Sequence, residues 1–204
     1  MSVVKAAPEF SAARIRLWLK HSIRIVSVLV ICILAWAGYL RLSGNFHAVE
    51  DGVVYRSGQL SKTQFADRIS EKGIRTIINL RGNNRGWSWY DDEVAASDAA
   101  HVMHVDFPLS SGRELTDDQL VKLATLLRNA PRPILIHCEA GADRTGFASA
   151  FYELVIAKRP VDEASTQLSI RYGHFPWLRN STIAMDRSFM RAVTLMRTPA
   201  VGAN

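Results

Sequence analysis

The sequence predicts an α/β protein: a central, mainly parallel sheet flanked by helices and preceded by one N-terminal transmembrane helix. Short apolar runs bounded by turn residues alternate with longer segments of helical periodicity, the pattern of strands and crossover helices. The stretch Ile25 to Leu40, IVSVLVICILAWAGYL, carries no charge. The rest of the 204-residue chain suits one core-bearing domain of ordinary size.

The apolar stretch comes first. Its sixteen uncharged residues fall short of the ~20 that a spanning helix usually needs, but Arg24 and Arg41 at its ends can snorkel to the interfaces. Only Ser27 and Cys32 are polar in character, so the amphipathic face of a core helix is missing. A cleaved secretory signal is the competing reading, because Ala35–Trp36–Ala37 is an A-x-A pattern behind an apolar run. The long basic leader favours an uncleaved anchor, and both readings imply export. Lys5, Arg14, Arg16, Lys20 and Arg24 precede the segment and only Arg41 and Arg56 follow closely, which places the N-terminus in the cytoplasm and the domain outside, in the periplasm. The division is thus 1–24, a basic cytoplasmic leader; 25–42, the transmembrane helix; and 46–198, the folded domain. Part of the net charge of +6 belongs to the leader, which implies membrane lipid as a partner, and no nucleic-acid motif accompanies it.

Beyond Ser43 each element has a local cause. FHAVEDGVVYRSG reads as two short strands about an Asp51–Gly52 turn. Ser61 caps a helix KTQFADRISEK, which Gly73 closes. Ile74–Leu80 is a strand, SWYDDEVAASDAAH a helix and Val102–Leu109 the next strand. Thr116 starts a helix with Leu120, Leu123, Leu126 and Leu127 on one face, ended by Pro-Arg-Pro. ILIHC is a short buried strand, and a long helix begins near Thr145. Two more helices are expected, over DEASTQLSIRYG and STIAMDRSFMRAVTLM. In such a fold ligands bind at the carboxyl ends of the strands.

The two cysteines make no disulfide framework: Cys32 lies in the apolar segment and Cys138 is alone in the domain. A chemical use for Cys138 follows from its setting in HCEAGADRTG, residues 137–146, a Gly-containing turn between strand and helix. Successive backbone N–H groups from Glu139, Ala140, Gly141, Ala142 and Asp143, with the positive end of the helix, form an oxyanion site. The same groups and Arg144 favour the thiolate of Cys138 and make it a nucleophile. The guanidinium of Arg144 matches two oxygens of a phosphoryl group bidentately, which lysine cannot do. His137 fixes the loop by hydrogen bonding backbone, Thr145 can place a hydroxyl near the sulfur, and Gly146 lets the helix pack tightly.

These positions, HC..G..RTG, resemble the signature of the cysteine-dependent protein tyrosine and dual-specificity phosphatase superfamily, in its bacterial membrane-anchored type. Six fixed positions met by chance in a chain of this length is on the order of one in 100,000. GVVYRSGQLS, GIRTIINLRG and HVDFPLS extend the resemblance over roughly Phe46 to Gly173. It implies Cys138 as the nucleophile of a phosphocysteine intermediate, Arg144 binding phosphate, and neither metal nor cofactor. A rhodanese-type sulfur carrier also holds a cysteine in an anion-binding loop but does not call for this His, Thr and Gly pattern.

One departure stands out. The family's leaving-group acid comes from a loop that here reads SSGREL, without aspartate. Asp106, Glu114 and Asp117 lie nearby, Asp106 within a strand and Asp117 or Asp118 as helix N-terminal charge. Asp143, inside the loop, resembles the acid of a subset of bacterial lipid- and tyrosine-directed phosphatases; otherwise it positions Arg144. Arg81, Arg85, Trp87 and Trp89 follow a strand end and are expected to rim the substrate pocket or to pack on the body. The expected activity is hydrolysis of phosphate monoesters on phosphotyrosine-type protein, phospholipid or envelope glycolipid. The opposing reading is a pseudophosphatase that binds phosphorylated ligands, against which the presence of both Cys138 and Arg144 argues.

Overall fold

The computed structural model describes residues 12–178 and 180–197. Lys5 of the basic leader and the expected domain limit at 198 lie outside the described residues. The chain divides into two units, one up to Tyr39 and one from Leu40 onward.

Helix α1 runs from Ala12 to Leu42, and its section Arg16–Leu42 is long and apolar enough to cross a membrane. Those 27 residues extend ~40 Å, against a ~30 Å hydrocarbon core. The described part of the leader is helical and continuous with the apolar stretch. Arginine and lysine are good helix formers, so a charge marks where a span ends without ending the helix.

The second unit is built on a five-stranded sheet in the order β1-β2-β5-β3-β4. Its strands are β1 (His47–Glu50), β2 (Val54–Ser57), β3 (Thr76–Asn79), β4 (Met103–Asp106) and β5 (Ile134–His137). Only β1 is antiparallel to its neighbour. The helices are α2 (Lys62–Lys72), α3 (Ser88–Ala99), α4 (Asp117–Asn129), α5 (Asp143–Val155), α6 (Val161–Ser165) and α7 (Ile183–Arg197).

Side-chain alternation along the strands divides the core in two. Tyr55, Ile77 and Leu135 point to one face, where Phe65 and Ile69 of α2 cover them. Val54, Ile78, Ile134 and Ile136 point to the other, against Leu123 and Leu127 of α4 and Phe147 and Phe151 of α5. Helix α5 is buried from Thr145 to Leu154 and packs on α4, α6 and α7. Ser61 and Thr116 each close a capping box with the glutamine three residues on, which satisfies the first free N–H groups of α2 and α4.

The expected helix over DEASTQLSIRYG is not continuous. Only Val161–Ser165 is α-helical, and Ile170–Tyr172 is a separate 3-10 turn. The Gln167 carbonyl accepts from the buried Arg56 guanidinium at 2.8 Å, a tertiary bond that replaces the helical one. Helix α5 begins at Asp143, two positions before Thr145, which places Asp143 and Arg144 in its first turn.

Candidate active site

Parallel strands end together. Ser57, His137, Asn79 and Asp106 are level across β2, β5, β3 and β4, so the segments leaving these four residues gather at one sheet edge. There the loop from Cys138 to Ala142 joins β5 to α5.

Tertiary partners hold the outward-facing side of this loop. The Glu139 carbonyl accepts from the Gln59 amide at 2.9 Å, the Ala140 carbonyl from Asn45 Nδ2 at 3.0 Å, and the Gly141 carbonyl from Arg56 Nη2 at 2.7 Å. A planar trans peptide points its C=O and the following N–H in opposite directions. Three carbonyls tied outward therefore turn the N–H groups of Ala140, Gly141 and Ala142 to the opposite, inner side of the loop. Gly141 takes φ +74°, and a Cβ there would lie 2.6 Å from the Gly58 nitrogen and 2.8 Å from the Ser57 carbonyl carbon. Loop and β2 terminus are thus in backbone contact, which only glycine permits.

Cys138 is buried at the base of the loop, while Glu139 and Ala140 are exposed at its mouth. Arg144, half-buried, donates from Nη1 to the Leu80 and Leu109 carbonyls at 3.3 and 3.4 Å, which fixes its guanidinium between the ends of two strand segments. Gly146 lets α5 approach the 167–168 segment, since a Cβ would meet the Gln167 carbonyl oxygen at 2.9 Å. The Thr145 hydroxyl donates to the Ser57 carbonyl at 3.3 Å and so braces the end of β2.

His137 reaches the Cys138 carbonyl at 3.4 Å, the expected backbone contact, and also Glu93 Oε1 at 2.9 Å. Glu93, buried on α3, meets His104 at 2.8 Å and accepts from Gln59 Nε2 at 2.8 Å. Burial alone would raise its pKa, but the His137 charge and the three hydrogen bonds prevail and lower it to about 2. Through Glu93 and Gln59 one buried carboxylate braces both ends of the loop approach.

Arg56 is the largest fully buried side chain among the described residues. It donates to the Gly141 carbonyl and to both the carbonyl and Oε1 of Gln167, and it stacks 3.8 Å from the Tyr172 ring centroid. Burial pushes its pKa down to about 10, opposed by Tyr172, Cys138 and Glu153, so it stays charged beneath the loop at neutral pH.

Each remaining acidic candidate has a partner. Asp106 accepts from Asn79 at 3.0 Å and from the Tyr90 hydroxyl at 2.6 Å. Glu114 pairs with Arg187 at 3.6 Å, and Asp117 accepts from Arg191 at 2.7 Å. No bond joins Asp143 to Arg144 among the described residues; Asp143 Oδ1 lies 2.7 Å from His174 Nδ1. Of the rim residues, Arg81 is half-buried, donates to Gln59 Oε1 at 3.0 Å and stacks 3.5 Å over Trp89. Its electrostatic environment includes Glu139, Arg144 and Cys138. Trp89 packs against Arg81, whereas Arg85 and Trp87 are exposed.

Asn45, Arg56, Gln59, Glu93 and His174 were not among the expected site residues. Arg56 alone leaves a trace, a charge inside the apolar strand VVYRS.

A parallel sheet that delivers a cysteine, an anion-shaped loop and an arginine to one helix N-terminus is the architecture of a protein tyrosine or dual-specificity phosphatase. The chain belongs to that superfamily: a profile described as DSP-PTPase phosphatase fused to NAD+ kinase matches residues 41–186. No curated protein sequence matches the chain. Among solved structures, Pseudomonas aeruginosa TpbA is 19% identical with TM-score 0.57, the match covering 76% of this chain and 92% of that one. A cysteine-to-serine form of TpbA in complex with pTyr is 17% identical, with TM-score 0.56 and coverage of 76% and 93%. PTPMT1 in complex with PI(5)P is 15% identical, with TM-score 0.53 and coverage of 74% and 98%.

Proposed function

We propose that this phosphatase hydrolyses phosphate monoesters through a phosphocysteine formed on Cys138. The carrying observation is the loop whose carbonyls at Glu139, Ala140 and Gly141 are bonded outward, because it leaves the intervening N–H groups free on the loop's inner side to bind an anion. In the first step the Cys138 thiolate forms the S–P bond while the P–O bond to the leaving group breaks. The inward N–H groups and Arg144 take up charge on the equatorial oxygens. Asp143 protonates the departing oxygen, and afterwards accepts a proton from the water that cleaves the S–P bond. Thiolate and inorganic phosphate are released. Every charge and proton in this sequence is handled by side chains and backbone of the chain.

Phosphotyrosine-type protein and phospholipid or glycolipid phosphates are the substrate classes that this site fits. The pTyr bound by the TpbA variant and the PI(5)P bound by PTPMT1 support a phosphorylated substrate. Residues 46–198 form the catalytic domain, anchored by the 25–42 part of α1, with the basic 1–24 leader cytoplasmic and the domain exported. The alternative, a binding module without turnover, loses ground because Arg144 and Cys138 are both present and braced.

Cys138→Ser separates the readings. It should abolish release of phosphate from an aryl phosphate while orthovanadate still binds, since the N–H ring remains and the nucleophile is lost. Retention of more than about 1% of turnover would overturn the covalent mechanism. Wild-type protein that binds orthovanadate but releases no phosphate would establish the binding module.

A further inference from the structure

The imidazole of His174 sits between two carboxylates that come from different helices. Nδ1 lies 2.7 Å from Asp143 Oδ1 on α5, and Nε2 lies 3.0 Å from Asp186 Oδ2 on α7. The His174 side chain is 1% exposed, whereas Asp143 and Asp186 are 25% and 36% exposed. Water cannot substitute for either partner of a ring so enclosed. Each nitrogen faces an acceptor oxygen, so the protonation state that satisfies both contacts carries hydrogen on both, an imidazolium. The packing that builds this chain is tertiary: Gly173 ends the 3-10 turn in the left-handed region and the His174 amide donates back to Ser169, which turns the side chain inward.

From this geometry we propose that His174, backed by Asp186, is a positioning residue for catalysis that acts through Asp143. It stabilises the carboxylate that Asp143 becomes when its proton passes to the leaving oxygen, and it holds that carboxylate in place for the hydrolytic step. The proposal rests on the reading of Asp143 as the acid.

The protons balance without moving His174's own. Before the first step Asp143 carries its proton on Oδ2, and Oδ1 accepts from Nδ1–H. As the P–O bond breaks, the Oδ2 proton goes to the leaving oxygen, and the new negative charge faces an imidazolium already in hydrogen-bond contact. In the second step the attacking water returns a proton to Asp143, the S–P bond breaks, and Cys138 leaves as thiolate. Asp186 compensates the buried positive charge throughout. A charge-assisted hydrogen bond to a charge that develops in the transition state favours that state over the bound substrate.

The charged groups facing His174 are Asp143 from α5 and Asp186 from α7, while Arg171 on its own segment stacks toward Tyr172. Burial would lower the His174 pKa, but the hydrogen bonds to Asp143 and Asp186 and the charges of the two ionised carboxylates raise it from the ordinary histidine value. The imidazolium is therefore present at and below ordinary histidine pH and is lost as pH rises through the raised value.

The test uses the full chain in detergent micelles, with an aryl phosphate and an alkyl phosphate as substrates across the neutral pH range. Asp143→Asn, His174→Gln and Asp186→Asn are compared with wild type, and orthovanadate binding reports an intact loop. An aryl group leaves without a proton, and an alkoxide does not. Asp143→Asn should lose roughly 100-fold on the alkyl phosphate, the scale of general-acid catalysis, and far less on the aryl one. His174→Gln and Asp186→Asn should each lose roughly 10-fold on the alkyl phosphate and about threefold on the aryl one, with little added loss when combined. The wild-type ratio of alkyl to aryl rate should fall as pH rises through the His174 titration, and in His174→Gln the midpoint of that fall should move. Equal losses on both substrates in His174→Gln and Asp186→Asn, with Asp143→Asn still selective, would overturn the positioning role and leave Asp143 as the acid. An unselective Asp143→Asn would overturn the acid reading and this proposal together. Asp186 is partly exposed, so its variant decides the matter if His174→Gln does not bind orthovanadate.

Discussion

Gly141→Ala tests the backbone contact on which the phosphate loop is built. The added Cβ would stand 2.6 Å from the Gly58 nitrogen, 2.8 Å from the Ser57 carbonyl carbon and 2.9 Å from its oxygen, all of them main chain. No rotamer change relieves such a clash, so loop and β2 terminus must separate by roughly an ångström to reach ordinary contact. Two costs add. Holding alanine at φ +74° costs about 1–2 kcal/mol. Forcing a methyl group into packed backbone costs about 1–3 kcal/mol more. Gly73→Ala is the matched control, because Gly73 has φ +60° with nothing within 4 Å of its Cβ and so pays only the first cost. Urea unfolding should show Gly141→Ala losing about 2–5 kcal/mol and Gly73→Ala about 1–2 kcal/mol. Hydrolysis of an aryl phosphate should fall about 100-fold in Gly141→Ala, the effect of an ångström's misplacement on a reacting group, and stay at wild type in Gly73→Ala. If the two variants lost the same stability, or if Gly141→Ala kept more than half of its activity, the close approach would not be what shapes the loop.

The Glu93 carboxylate is depressed from 4.5 to about 2; such a group contributes stability that is fully present above pH 4.5 and lost as pH falls toward 2. Glu93→Gln should therefore cost about 3 kcal/mol at pH 7 and flatten the acid side of the stability profile, and an unchanged profile would count against the hub linking His137, His104 and Gln59. For topology, a compartment-sensitive reporter fused after Asn204 should be active only in the exported compartment; a cytoplasmic signal would reverse the charge argument drawn from Arg14, Arg16, Lys20 and Arg24.

The sequence by itself determined what depends on neighbours a few positions apart. Ser61 and Thr116 cap their helices through residues three positions on, Gly73 closes α2, and alternation within Val54–Ser57 and Ile134–His137 splits the core between two faces. Cys138, Gly141, Arg144 and Gly146 were legible as a pattern because they stand close together in one strand-loop-helix junction. The helix expected over DEASTQLSIRYG failed for the opposite reason, since a buried arginine 111 positions away takes the Gln167 carbonyl. Tertiary structure alone decided which groups meet the loop: Asn45 lies 95 positions from Ala140, Arg56 lies 85 from Gly141, Glu93 lies 44 from His137 and His174 lies 31 from Asp143. Periodicity and capping are local energies and leave a local pattern. A buried polar contact between distant segments is stabilised only after the chain has closed the loop between them, so its two partners carry no mark of each other in the sequence.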